Sequence, residues 1–83
     1  MKTVTKVRVV APYTLEVTFS DGVCRKVVLE SELYGDAFEP LKDPALFAKA
    51  SVDPVLGTVV WPNGADFSPE FLYRFRAKST TAP

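Results

Sequence analysis

The 83-residue chain contains no histidine, and that absence removes more chemistry than any other feature of its composition. Without an imidazole there can be no Ser-His-Asp triad or Cys-His dyad, and the commonest general base near neutral pH is missing. A single cysteine, Cys24, cannot staple the fold, and with no histidine it cannot complete an ordinary zinc site. The hydrophobic core must therefore hold the chain together unaided. Cys24 lies just past a turn in strand-like sequence, where a lone thiol reads as a small hydrophobe. Glycine is sparse as well. Gly22, Gly35, Gly57 and Gly64 are dispersed and match neither the dinucleotide fingerprint nor the phosphate-binding loop, so no cofactor is expected.

An excess of either charge is also lacking. Lys plus Arg and Asp plus Glu both number 10, so the chain as a whole has no field to draw in nucleic acid or an anionic membrane. The distribution is less even. Lys2, Lys6, Arg8, Arg25 and Lys26 dominate the first third, and Arg74, Arg76 and Lys78 follow the last carboxylate, Glu70. The middle is acidic, so if the two ends meet in space one face is basic and another acidic. No apolar run after Met1 is long enough for a secretion signal, and none approaches a membrane span. A cytoplasmic location without membrane partners is the expectation.

What is present is the composition of a folding chain, 47% hydrophobic and 24% charged. Its length allows one domain, residues 1–78, with a frayed tail over 79–83. Tyr13, Leu15, Val17 and Phe19 alternate with polar residues, the period of a strand with one buried face. Before it, Val4 and Val10 fall on the opposite parity from Val7 and Val9, which a bulge would reconcile. Asp21-Gly22 then predicts a type I′ hairpin into VCRKVVL. The first third reads as a three-stranded antiparallel meander.

From Glu30 to Lys42, Gly35 and Pro40 prevent any long element, and Leu33, Phe38 and Leu41 are spaced as anchors for a loop lying over the sheet. Asp43-Pro44 predicts a helix start, with Asp as N-cap and Pro at the first helical position, running to about Ala50. Residues 57–61 form a fourth strand. Pro62, Asn63 and Gly64 give a tight turn, and Ser68-Pro69 repeats the helix-start signal. Phe67 before that cap and Leu72 beyond it have the spacing of a hydrophobic staple. Phe71, Leu72 and Phe75 then make the apolar stripe of a terminal helix. The expected class is α+β, a small antiparallel sheet packed with two short helices.

Candidate chemistry concentrates in one loop. Trp61, Pro62, Asn63, Gly64, Asp66 and Phe67 form a candidate interaction surface, with Trp61 and Phe67 as anchors and Pro62, Asn63 and Gly64 shaping the loop. Most of the stretch nevertheless reads as scaffolding: core packing is the first expectation for Trp61, and Phe67, Phe71 and Phe75 fall on core spacing. Asp53, Asp66 and Glu70 are the carboxylates an enzyme would use, although each also suits a cap, a turn brace or a helix first turn. No catalytic residue and no metal ligand is expected.

FSDG at residues 19–22, FEPLKDPALF at 38–47 and VVWPNGADFSPEFLY at 59–73 resemble the bacterial family catalogued as domain of unknown function 2442. The resemblance covers nearly the whole chain. It implies a small cytoplasmic α+β domain of uncharacterised role, in a family some of whose longer members append a helix-turn-helix that this sequence does not reach. Genes of this kind often neighbour another short reading frame, an arrangement similar to toxin and antitoxin pairs. Some relatives bear a label from molybdopterin guanine dinucleotide biosynthesis, which would require a glycine-rich phosphate loop that is missing here. The expected function is a non-enzymatic protein interaction module, antitoxin-like, binding a small protein partner such as the product of a neighbouring gene, or a second copy of itself. An accessory nucleic-acid role for the basic termini is the alternative from another class.

Overall fold

The computed structural model describes residues 2–75, so the 79–83 tail, with Arg76 and Lys78, lies outside the described residues. Three strands, β1 (Val4–Ala11), β2 (Thr14–Phe19) and β3 (Cys24–Val28), form an antiparallel sheet in the order β1-β2-β3. The alternation in β2 is realised directly: Leu15, Val17 and Phe19 are fully buried. In β1 the parity conflict is resolved by two register shifts, between Val4 and Lys6 and between Val9 and Ala11. They let Val4 be buried and Val7 and Val9 pack on the core, while Val10 stays exposed.

The turn between β2 and β3 differs from the expected type I′. Only Gly22 has positive φ there, at 89°. The Gly22 amide donates to the Phe19 carbonyl at 2.9 Å, and the Phe19 amide donates to Val23 O at 2.8 Å. This is a three-residue hairpin loop closed by a glycine bulge, in which Asp21 need not adopt a left-handed backbone. Its carboxylate instead accepts from the Val23 amide at 3.0 Å.

The strand expected at 57–61 does not extend the meander. β4 (Ser51–Asp53) and β5 (Thr58–Val60) form their own antiparallel pair, with Val52 opposite Val59. Asp53 turns this hairpin by accepting from the amides of Val55 and Leu56 at 2.8 and 3.1 Å. The pair docks beside β1, where the Val4 amide donates to Gly57 O at 2.8 Å.

Both helices begin where capping chemistry places them. Asp43 accepts from the Ala45 amide at 3.0 Å to start α1 (Pro44–Phe47), and Ser68 accepts from the Phe71 amide at 3.1 Å to start α2 (Pro69–Arg74). α1 stops three residues before the predicted Ala50, and beyond it the amides of Lys49 and Ala50 close short turns onto the carbonyls of Leu46 and Phe47. Between β3 and α1, two brief 3₁₀ turns, Glu30–Glu32 and Glu39–Lys42, carry the chain over the sheet. Leu33 and Leu41 anchor it at 1% and 0% exposure, and Phe38 is half-buried. The meander, the hairpin and α2 thus converge on one apolar interior.

Candidate functional site

Trp61 lies inside that interior, 3% exposed. Its indole Nε1 donates to the Phe47 carbonyl at 2.9 Å, and its ring lies 5.6 Å from Phe47 and 5.8 Å, edge-on, from Phe67. A buried Trp needs an acceptor for its N–H, and the end of α1 supplies one. Phe67 is also buried. The core role expected of Trp61 therefore holds, and the expectation that these two rings anchor a partner from an exposed loop is corrected: both are core residues in the isolated chain, and the exposed part of the segment is Pro62, Asn63, Gly64 and Asp66.

The loop is tied down throughout. Trp61 pairs with Ala65 and Gly64 through backbone bonds of 2.9 and 3.0 Å, and Val60 pairs with Asp66 as an isolated bridge. Asn63 uses both ends of its amide, accepting from Ala65 N at 3.2 Å and donating to Ala37 O at 3.0 Å. That second bond joins the tryptophan loop to the segment before Phe38. Phe38 then stacks on Phe67 at 4.6 Å and Phe67 on Phe71 at 5.2 Å.

The result is a groove of about 520 Å³ between residues 32–38 and 66–71. Phe38, Phe67 and Phe71 form its floor, and Tyr34, 66% exposed, stands at its edge. Glu32, Asp36 and Asp66 rim it. Among the described residues, the ion pairs are Arg8 with Glu16 and Lys42 with Glu39, so none of the three rim carboxylates is paired with a described cation. Of the six loop residues singled out in the sequence, Asp66 and Phe67 line this groove, and Asn63 holds its two walls together. Tyr34 and Asp36 were missed; the available signal was a tyrosine outside any apolar period, next to Gly35.

The candidate enzyme carboxylates are not assembled. Asp53 is committed to its hairpin turn, Asp66 borders the groove, and Glu70 lines a different recess with Lys2, Tyr73 and Arg74. No group of three or more potential metal ligands occurs among the described residues. Cys24 is exposed, contrary to the buried hydrophobe its surroundings suggest, because its position on β3 faces away from Val27.

The two basic ends do meet. Lys2 Nζ lies 4.8 Å and the Arg25 guanidinium 5.0 Å from the centroid of the Tyr73 ring, and Arg74 lines the adjoining recesses. The Tyr73 hydroxyl donates to Asp21 at 2.8 Å. That bond to a carboxylate raises the phenol above its ordinary pKa, while the Val23 amide, together with Tyr73 and Lys2, lowers Asp21 below the ordinary carboxylate range.

The described residues define a small α+β domain with an acidic, aromatic-floored groove and a basic cluster. The chain belongs to the family described as "Protein of unknown function (DUF2442)", whose sequence profile matches residues 4–78. Among solved structures it is similar to a protein from Nitrosomonas europaea named "Putative DNA Binding Protein", with 28% identity and a TM-score of 0.76 over 88% of this chain. The chain spans 47% of that protein. No curated protein matches the chain. No helix of the described residues is long and apolar enough to cross a membrane.

Proposed function

We propose that this protein is a non-enzymatic interaction module that holds a segment of a small protein partner in the groove between residues 32–38 and 66–71, the partner being the product of a neighbouring gene in an antitoxin-like two-gene unit. The observation that supports this reading is the groove itself. Three stacked phenylalanines and an exposed tyrosine share one recess, and large aromatic rings on a rigid floor are the common anchors of protein contacts. Co-expression of the tagged chain with the adjacent reading frame tests it. The two products are expected to co-purify and Tyr34→Ala to weaken the complex by about 5- to 30-fold, the usual loss at a contact aromatic. Tyr34 is exposed, so the variant should fold normally. Elution of the chain alone, with its neighbour present at micromolar concentration, would end the proposal.

A second reading is favoured by the basic cluster and by the name of the Nitrosomonas protein. Lys2, Arg25 and Arg74 around an aromatic ring have the chemistry that a nucleic-acid backbone and its bases call for. Asp21 and Glu70 sit in the same cluster, so among the described residues three cations and two carboxylates leave a local charge of +1, which ranks this reading second. It predicts weak duplex binding whose logarithm falls against log salt with a slope of about −2 to −3, one phosphate per cation, and that Arg25→Glu abolishes. Salt-independent binding, or binding unchanged by Arg25→Glu, would dismiss it.

A further inference from the structure

Building on the groove reading above, we infer that the occupant is an extended protein segment carrying at least one Lys or Arg between apolar side chains. The rim and floor ask for different things. Phe38 and Phe71 are half-buried and offer apolar surface that favours aliphatic groups, while Phe67 is stacked between them and buried. Glu32, Asp36 and Asp66 stand around them with no described cation as partner.

A purely apolar segment laid across the groove would desolvate these carboxylates without replacing their water. An acidic segment would be repelled by all three, as would an anionic membrane. A cationic side chain resolves both demands, since its aliphatic stem can lie on the phenylalanines while its head reaches the rim. The groove is open and about 520 Å³ in volume, far more than an isolated small amine would fill. The carboxylates are not grouped as a metal site among the described residues.

The chain's own Lys2, Arg25 and Arg74 make a second copy the natural competitor. The test therefore uses defined probes on the full-length protein: fluorescein-labelled hexapeptides alternating Lys with Leu, Glu with Leu, and Lys with Ser. Fluorescence anisotropy gives affinity, and amide chemical shifts give location.

The Lys/Leu peptide is expected to bind most tightly and to shift Tyr34, Asp36, Asp66 and Phe71. Asp36→Asn with Asp66→Asn, both at exposed positions, should weaken it by about three- to tenfold, the scale of two exposed charge contacts. Equal binding of the Lys/Leu and Glu/Leu peptides, or shifts confined to residues outside the groove, overturns the inference. Self-association abolished by the double variant, with no peptide binding, would make the occupant a second copy and overturn the assignment to a foreign segment. If Tyr34→Ala releases the neighbouring gene product while the double Asn variant does not, the groove is the partner site but the cationic requirement fails. If neither variant affects capture, the groove reading itself falls.

Discussion

Trp61→Ala should remove a large share of the domain's stability. Removing a fully packed indole costs about 3–5 kcal/mol in comparable cores, and a domain of this size has only about 4–12 kcal/mol in total at roughly 0.05–0.15 kcal/mol per residue. The ring contacts Phe47 and Phe67 and its N–H satisfies Phe47 O, so the substitution opens a cavity at the junction of α1, β5 and the loop after it. Trp61→Phe separates the two contributions. It keeps most of the volume and removes the N–H, while the Phe47 carbonyl retains a longer bond of 3.3 Å from the Ala50 amide. Its cost should be smaller, about 1–2 kcal/mol, near the lower end for a lost buried hydrogen bond. Urea unfolding followed by circular dichroism checks the order. Near-native stability of Trp61→Ala would mean the tryptophan is not part of the core. Loss of partner binding in Trp61→Ala would by contrast say nothing about contact, because unfolding produces the same loss.

Gly57→Ala is expected to be the second most damaging change. Gly57 has φ +68°, and an added Cβ would lie 2.8 Å from Thr3 Cγ2 and 3.0 Å from Thr3 Cβ. Two costs combine: about 1–2 kcal/mol for an L-residue in left-handed backbone and about 1–3 kcal/mol for overpacking at a fixed contact. The contact is fixed because Gly57 O accepts the Val4 amide, and Thr3 O accepts the Ser20 amide at 2.8 Å. Thermal melts of Gly57→Ala in the native and Thr3→Gly backgrounds separate the costs. The Thr3→Gly background should remove the steric part and leave the backbone part. Identical losses in both backgrounds would show that the hairpin is not pressed against the chain's N-terminal strand.

These two residues also mark how far the sequence could be read. The caps at Asp43 and Ser68 were legible because an N-cap, its proline and its acceptor geometry lie within four residues of each other. The meander was legible because alternation in β2 is local, and the bulge in β1 followed from the parity of Val4, Val7 and Val9. Asp21-Gly22 marks the place of the turn but not its type, since Asp-Gly suits both a type I′ turn and a three-residue loop. β4 was not foreseen as a strand. Ser51–Asp53 has no alternation of its own and is a strand only because β5 lies beside it.

The candidate site divides in the same way. Asp66 and Phe67 were named from sequence and do line the groove, but with roles the sequence did not distinguish, one at the rim and one in the floor. Glu32, Tyr34 and Asp36 lie some thirty residues earlier, and only the Asn63 to Ala37 bond and the Phe38 to Phe67 stack bring them alongside.

By itself, then, the sequence determined the α+β class, both helix starts and the exclusion of histidine-based chemistry, because each depends on residue types and on neighbours close along the chain. Tertiary structure alone decided that the Trp61 indole donates to Phe47 O, that Lys2, Arg25 and Arg74 meet around Tyr73, and that three carboxylates rim one aromatic recess. Those outcomes turn on which distant segments bury their apolar faces together, and burial is settled by the packing of the whole chain, not by the pattern of any one stretch.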